Sequence, residues 1–221
     1  MNIENIINHT FVPLEPSEHI EVALRKLQTV GYAELPVVEN GKFLGNISKE
    51  LISKQSGDST IESLKDEFDV SRYISLPIHW FEILKAFDRP QGSYLTVLDE
   101  NKNYAGIIEV NAFLALLARK SSFRMPGTVM VLEVNTYDYM LSRIAQIVEA
   151  QNAKIVCLNI ETSEQSPFVQ IHLKLNSMEI IGISRELERY GFRVLETFQE
   201  KSKFSDDLLD NYNALMKYLE V

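Results

Sequence analysis

Residues 35–48 read LPVVENGKFLGNIS, two short apolar runs separated by the pair Asn40-Gly41. A two-residue hairpin turn needs positive φ at both positions, so Asn-Gly between apolar runs is a strong hairpin signal. Four apolar residues upstream have the i, i+3, i+4, i+7 spacing of an amphipathic helix: Ile20, Ala23, Leu24 and Leu27. The sequence therefore predicts a helix followed by a β-hairpin, with Ser17 as the helix N-cap and Gly31 at the C-terminal end of the helix.

The same unit recurs about sixty residues later in the chain. Its helical stripe is Trp80, Ile83, Leu84 and Phe87, its first strand is 95–99 and its second strand ends at 106–108. The turn between these strands, around Glu100 to Asn103, is expected to be one residue longer than Asn40-Gly41. The repeat indicates a supersecondary unit of helix, hairpin and helix that occurs twice.

A second body is predicted after residues 120–127, where Ser121-Ser122 and Pro126-Gly127 interrupt both helical and strand periodicity. The periodicities that follow have the order βαββαβ, a split βαβ arrangement of ferredoxin-like type. The strands are 128–134, 155–160, 169–175 and 192–198, and the helices carry Leu141, Ile144, Ala145 and Val148, then Ile180, Ile183, Leu187 and Tyr190.

The predicted fold class is therefore α+β, with the pair of repeats in residues 1–119 (repeats about 10–53 and 72–119) and a linker at 120–127. The ferredoxin-like body occupies 128–200, and 201–221 form a C-terminal amphipathic helix. The apolar stripe of that helix is Leu208, Tyr212, Leu215 and Leu219. It fits either a helix folded back on its own domain or a contact with a second subunit.

The composition disfavours several classes of partner. A formal net charge of −9, without any run of Lys or Arg, disfavours nucleic acid. The longest apolar runs, such as 112–118, are shorter than the roughly 20 residues of a membrane span, and residues 1–10 lack a leader pattern. Cys157, the sole cysteine, lies in an apolar segment and is expected to be a buried small hydrophobe. We expect a cytoplasmic protein without a membrane partner.

The sequence offers little for catalysis. It contains no His-Glu-x-x-His, paired Cys, Gly-x-Gly-x-x-Gly or Walker-type pattern. His19 and His79 share one position of the repeat, but each lies near the first turn of its helix, where a solvent-facing histidine is ordinary. We therefore predict no catalytic residues, no metal ligands and no cofactor.

The two repeats resemble a cystathionine-β-synthase (CBS) domain pair, chiefly through residues 35–38 and 45–48, and residues 128–199 resemble an ACT domain through their topology. The order of modules is similar to that of acetoin-utilisation-type bacterial regulatory proteins. CBS pairs generally bind adenosine-containing ligands in clefts between the copies, so the resemblance implies AMP, ATP or S-adenosylmethionine as a regulatory ligand. Both modules commonly self-associate, which implies a homodimer.

The resemblance implies a ligand cleft in the first repeat lined by Val12, Pro13, Leu35, Pro36, Ser48 and Glu50. In the family, the strand after the hairpin ends in Gly, two apolar residues and Thr or Ser, with an Asp three positions later. The first repeat keeps Gly45 and Ser48 but has Leu51 at the Asp position. Ser48 is then either a phosphate contact or the N-cap of the next helix, and Glu50 either lines the cleft or is a solvated first-turn carboxylate.

The other two candidate sites depart further from the family patterns. In the second repeat Glu109 and Ala112 occupy the hydroxyl and Asp positions, and a carboxylate there would repel a phosphate. An ACT domain often binds an amino acid where its first strand meets its first helix, and here that loop holds Asn135, Thr136 and Asp138, without the usual glycine. Asn135 and Asp138 either bind an ammonium group or cap the helix expected to begin near residue 139.

The sequence predicts a non-enzymatic regulatory protein that senses a small ligand in the CBS cleft, with the ACT-like domain relaying or adding to the signal. The alternative is an interaction or oligomerisation scaffold whose clefts bind no nucleotide. Leu51, Glu109 and Ala112 favour that alternative, because each replaces a residue that would contact the ligand.

Overall fold

A computed structural model describes residues 3–55, 58–88 and 93–199. The chain divides into two compact units between Ala118 and Arg119. The predicted C-terminal helix at 201–221 lies outside the described residues.

The first repeat contains α1 (Ile20–Val30), β1 (Glu34–Glu39), β2 (Lys42–Ser48) and α2 (Lys49–Ser53). The predicted hairpin is confirmed, since β1 and β2 pair antiparallel and Asn40 and Gly41 have φ angles of 49° and 78°. Gly31 ends α1 as predicted, in the left-handed conformation with a φ of 71°. The predicted N-cap is wrong: α1 begins two residues later than expected, so His19 rather than Ser17 holds that position.

The second repeat contains β3 (Tyr73–Ser75), α3 (Trp80–Ala86), β4 (Tyr94–Leu98), β5 (Tyr104–Glu109) and α4 (Val110–Ala118). Its hairpin turn is one residue longer, as predicted, because the Asp99 N–H bonds to the Asn103 carbonyl across three intervening residues. The predicted stripe is wrong at Leu84, which is 48% exposed, whereas Ile83 is fully buried. Within α3 only Ile83 is buried, whereas α1 buries Ile20, Ala23 and Leu27.

Each repeat completes its core with the chain that precedes the other repeat. Asn8 pairs with Ile107 of β5, and Asp69 pairs with Asn46 of β2. The side chains follow the backbone: Ile3 and Ile7 lie in the core of the second repeat, and Ile61, Leu64 and Phe68 lie in the core of the first. Because each such side chain contributes about 1.5–3 kcal/mol when buried, the two repeats stabilise one another.

Asn46 joins the two repeats from a buried position. Its side-chain amide group donates to the Arg72 carbonyl at 2.9 Å, and its side-chain oxygen accepts from the Thr96 hydroxyl at 2.9 Å. Its backbone N–H and carbonyl bond to Asp69. A buried polar group satisfied on every side in this way specifies a single arrangement of the two repeats.

The second unit contains α5 (Ser121–Arg124), β6 (Thr128–Asn135), α6 (Leu141–Ala150), β7 (Ile155–Thr162), β8 (Phe168–Leu175), α7 (Ile181–Arg189) and β9 (Arg193–Gln199). Its antiparallel sheet has the strand order β7-β8-β6-β9, which confirms the predicted βαββαβ arrangement. Along β8 buried and less buried residues alternate strictly, as predicted. The core lies between this sheet and the two helices α6 and α7.

Three details of the second unit differ from expectation. The first helix begins at Leu141 rather than near residue 139, and its buried stripe starts one turn later and includes Ile147, so Leu141 is 46% exposed. Tyr190 follows the end of α7 and is 45% exposed, so it is not part of the buried stripe. Cys157 is only half-buried, because it lies on the edge strand β7.

Candidate functional site

A cavity of about 460 Å³ lies in the first repeat, beside α1 and the segment that precedes it. This volume is within the 300–1,000 Å³ range typical of small-molecule sites. Its lining residues are Asn8, Thr10, Phe11, Val12, Val22, Arg25, Lys26, Thr29, Val30 and Leu35. We call it the first cavity.

The chemistry of the first cavity favours an anion with an apolar part. The lining includes two cations, Arg25 and Lys26, and no carboxylate. Lys26 Nζ lies 2.6 Å from Glu18 Oε1 and 3.3 Å from the Pro13 carbonyl, so it is held against the segment that precedes α1. Arg25 makes a longer, exposed contact with Glu21 of 3.3 Å, which a ligand would displace at little cost.

The chain that precedes α1 crosses from one repeat to the other along this cavity. Asn8 is bonded to β5 of the second repeat, whereas Leu14 pairs with Val37 of β1 in the first. The residues between these two anchors, among them Thr10 and Val12, therefore line the cavity while both ends of the segment are fixed.

The structure brings together only some of the residues that the sequence placed in one cleft. Val12 and Leu35 line the first cavity, and Pro13 contributes the carbonyl that accepts from Lys26. Pro36 is buried, and its carbonyl accepts from the Leu14 N–H.

Ser48 and Glu50 are not among the residues that line the first cavity. Ser48 Oγ accepts from the Leu51 N–H at 3.2 Å, which is the N-cap contact of α2. Glu50 is exposed and pairs with Lys54 at 2.7 Å, and this hydrogen bond lowers the pKa of Glu50. Of the alternatives considered, the structure therefore shows the N-cap contact for Ser48 and a solvent-exposed carboxylate for Glu50.

Five polar residues of the first cavity were not predicted from the sequence: Asn8, Thr10, Arg25, Lys26 and Thr29. The two basic residues directly follow Leu24 of the α1 stripe, so their place on the helix was readable. The position of Asn8 and Thr10 depends on the crossing of the N-terminal segment, for which the sequence carries no local signal.

Ser48→Ala is expected to lower the free energy of unfolding by about 1 kcal/mol, because the Leu51 N–H loses its acceptor. Urea denaturation followed by the fluorescence of the sole tryptophan, Trp80, would measure this loss. Ser53→Ala is the control, since the exposed Ser53 hydroxyl only donates back to the Glu50 carbonyl. Unchanged stability together with weakened ligand binding would contradict the capping role and assign the hydroxyl to a ligand.

Three aromatic rings fill the space between the repeats. Tyr94 is 2% exposed, and its ring centroid lies 5.1 Å from that of Tyr32 and 6.0 Å from that of Phe11. Its hydroxyl has no hydrogen-bond partner among the described residues, and burial raises the pKa of Tyr94 far above its usual range. Burial, and then the Glu109 carboxylate, raise the pKa of Tyr32. This packing leaves little room for a ligand at the aromatic cluster itself.

In the second repeat, the Glu109 carboxylate is in contact with the N-terminal segment. The Asn8 side-chain amide donates to Glu109 Oε1 at 3.4 Å. Asn8 thus touches the second repeat through both backbone and side chain while it lines the first cavity.

The loop between β6 and α6 is held by its own hydrogen bonds. Asn135 Oδ1 accepts from the Tyr137 N–H at 3.0 Å and caps the short 3-10 turn Thr136–Asp138. The Thr136 hydroxyl donates to the Pro167 carbonyl at 2.9 Å. Asp138 is exposed. Asn135 therefore has a capping contact, although with a 3-10 turn rather than with the helix that follows.

The two repeat-related histidines occupy N-cap positions, His19 before α1 and His79 before α3. His79 Nδ1 accepts from the Phe81 N–H at 3.2 Å. Within residues 3–55, 58–88 and 93–199, no cluster of three His, Cys, Asp or Glu side chains has the arrangement of a metal site. In the same part of the chain, no helix has the length and apolar character of a membrane span.

Comparison with known families matches residues 3–55 to the CBS domain. The α+β fold class predicted from the sequence is confirmed. The chain combines a repeated helix and hairpin unit, whose first copy lies in the residues that match the CBS domain, with a ferredoxin-like βαββαβ unit.

Several solved structures are similar to this chain. A CBS domain pair/ACT domain protein from Thermotoga maritima shares 22% sequence identity, with a TM-score of 0.48 over 53% of this chain and 96% of that one. CBSX2 in complex with AMP shares 18% identity, with a TM-score of 0.42 over 53% of this chain and 98% of that one. CbpB in complex with c-di-AMP shares 15% identity, with a TM-score of 0.45 over 53% of this chain and 84% of that one.

Proposed function

We propose that this protein is a non-enzymatic regulatory protein that binds an adenosine-containing nucleotide in its first cavity. The ferredoxin-like unit relays the signal or adds to it. The observation that carries the proposal is a cavity of about 460 Å³ whose lining has two cations and no carboxylate, inside a region that matches the CBS domain.

The lining supplies the groups that a nucleotide requires. Arg25 is the main donor for phosphate oxygens, and Lys26 adds the one ammonium N–H that Glu18 and the Pro13 carbonyl leave over, because charge-assisted hydrogen bonds to phosphate are stronger than neutral ones. Asn8 and Thr10 provide amide and hydroxyl groups for ribose or base edges, and Phe11 with its apolar neighbours provides a surface for the base.

Nucleotide binding in the first cavity has a direct route to the second repeat. Asn8 lines the cavity and is also bonded to β5 and to Glu109 of the second repeat. A ligand that prefers one position of the segment containing Asn8 would therefore shift the packing of the two repeats, which is the requirement for a ligand-driven switch.

The test is a thermal shift of the full chain with AMP, ATP, c-di-AMP and S-adenosylmethionine at about 1 mM. We expect one of them to raise Tm by several degrees, since a ligand that binds only the folded state stabilises it. The double variant Arg25→Gln, Lys26→Gln is expected to bind this ligand about tenfold or more weakly. Lys65→Gln, at an exposed lysine in the turn Ile61–Glu67, is the control for the loss of a surface cation outside the cavity. If no nucleotide raises Tm, or if the double variant binds as the native chain does, the proposal fails.

The second candidate function is an interaction scaffold without a nucleotide. Tyr94 favours it, because the buried ring occupies the space between the repeats with Tyr32 and Phe11. An absence of any nucleotide-dependent shift, together with a stable dimer in sedimentation equilibrium, would support this function. Homodimerisation, a cytoplasmic location and similarity to acetoin-utilisation-type regulatory proteins remain predictions from the sequence.

A further inference from the structure

A second cavity of about 450 Å³ lies in the second repeat, at the position equivalent to the first. The two linings correspond at an offset of sixty residues, as shown by the pairs Val12 and Arg72, Val22 and Glu82, Arg25 and Lys85, and Leu35 and Leu95. Each repeat therefore has a cavity at the same place, between the outer face of a helix and the segment that precedes this helix.

The charges around the second cavity differ from those around the first. Glu82, Lys85 and Asp88 line it, and none of their three charged side chains has a hydrogen bond or ion pair within the described residues. Arg72 also lines it, but its guanidinium is engaged by the Glu34 carboxylate at 2.8 Å. The charges left for a ligand are two carboxylates and one ammonium group.

The floor of the second cavity is apolar. Ile74 and Leu95 are buried in the core of the second repeat, and Ile78 and Ala86 pack against that core. A ligand there meets a hydrophobic surface below and charges of both signs at the rim. Glu82 and Lys85 lie three residues apart on α3, so both belong to the same face of the helix.

We propose that the second cavity binds a free α-amino acid with an apolar side chain. The ligand ammonium group is bound by Glu82 and Asp88, the ligand carboxylate by Lys85, and the side chain lies on Ile74 and Leu95. A zwitterion matches charges of both signs, and in the part of the chain that the structure describes these side chains have no partner.

A nucleotide suits this cavity less well than an amino acid. With Arg72 neutralised by Glu34, the remaining charges of the described lining sum to about −1, and the Glu82 and Asp88 carboxylates would repel phosphate groups. The first cavity, with cations and no carboxylate in its lining, has the opposite preference. The two equivalent cavities therefore bind ligands of different charge, and this inference holds whether or not the first binds a nucleotide.

The experiment is isothermal titration of the full chain with L-leucine and L-isoleucine, each up to about 10 mM. N-acetyl-L-leucine, which lacks the ammonium group, and L-leucinamide, which lacks the carboxylate, are the matched probes. We expect the free amino acid to bind at least about tenfold more tightly than either derivative, because each derivative leaves one charge of the cavity unpaired. Binding of the derivatives at equal affinity would overturn the proposal, as would no binding of any amino acid.

Three variants locate the binding. Lys85→Gln and Glu82→Gln are each expected to weaken L-leucine binding about tenfold, and Arg25→Gln in the first cavity is expected to change it by less than about twofold. The Glu82 and Lys85 side chains are exposed on α3, so the Lys85→Gln and Glu82→Gln variants are expected to keep the native Tm. Amino-acid binding that survives both substitutions would place the site elsewhere, including the loop that contains Asn135, and would overturn the proposal.

Discussion

Gly106→Ala is expected to lower the free energy of unfolding by about 2–5 kcal/mol. A Cβ at this position would lie 2.6 Å from the Asn8 carbonyl oxygen and 2.9 Å from Ile7 Cγ2. Gly106 also has a φ of 138°, a conformation that other residues rarely adopt. Alanine would therefore push the N-terminal segment away from β5 and remove part of the second-repeat core.

Urea denaturation followed by Trp80 fluorescence measures the effect, because Trp80 packs against the core of the second repeat. Gly31→Ala is the matched control, since Gly31 has a φ of 71° but would place its Cβ with nothing within 4 Å. We expect a loss of only about 1 kcal/mol there, from the backbone conformation alone. If the two variants lose equal free energy of unfolding, the close approach of Asn8 does not determine which side chain residue 106 can carry.

Arg72→Met is expected to lower the free energy of unfolding by about 3–5 kcal/mol at pH 8. Arg72 Nη1 lies 2.8 Å from Glu34 Oε2, and the two side chains are only 13% and 11% exposed. Removing the guanidinium leaves a buried carboxylate without its counter-charge, which is more costly than the net value of the pair.

The loss is expected to depend on pH in a defined direction. Burial raises the pKa of Glu34 in the native chain, and Arg72 opposes that rise, so the variant has a still higher pKa at Glu34. A carboxyl whose folded pKa exceeds its unfolded pKa binds more protons when folded. The contribution of such a carboxyl to the free energy of unfolding is fully present below the unfolded pKa and is lost as the pH rises through the folded pKa. Arg72→Met should thus be destabilised less at pH 4.5 than at pH 8, in parallel denaturation curves.

The double variant Glu34→Gln, Arg72→Met is the control that removes the Glu34 charge as well. It lacks the carboxyl and should recover part of the stability at pH 8 and lose the pH dependence, because no buried charge remains at the site. A single variant that is equally destabilised at both pH values would show that packing, and not the Glu34 charge, accounts for the loss.

These two changes act on the same feature, the crossing of each leading segment to the opposite repeat. Gly106 permits the N-terminal segment to approach β5, and Arg72 holds the segment that precedes the second repeat against β1. The first cavity is lined by the former segment and the second cavity by the latter. A ligand in either cavity therefore contacts a segment that belongs to the structure of both repeats.

Local signals in the sequence determined most of the secondary structure. Asn40-Gly41 specifies the first hairpin, because its residues tolerate positive φ, and the alternation along β8 specifies which face is buried. Local signals did not determine every helix boundary: α1 begins at Ile20 with His19 as its N-cap, although Ser17 is the better capping residue by type. The hairpin turn and the strand alternation can be read from the sequence because each involves only neighbouring positions along the chain.

Only the tertiary structure decided where the candidate sites lie. Val12 and Leu35 line a cavity, but Asn8 and Arg25 line it as well, and Ser48 is engaged in capping α2. Asn8 reaches the cavity because it pairs with β5 about one hundred residues later, a contact that no local periodicity reports. The sequence by itself thus determined the repeated unit and its hairpins, which depend on short-range backbone preferences. The crossing of the segments and the two cavities of opposite charge depend on long-range packing, and only the folded chain brings those residues together.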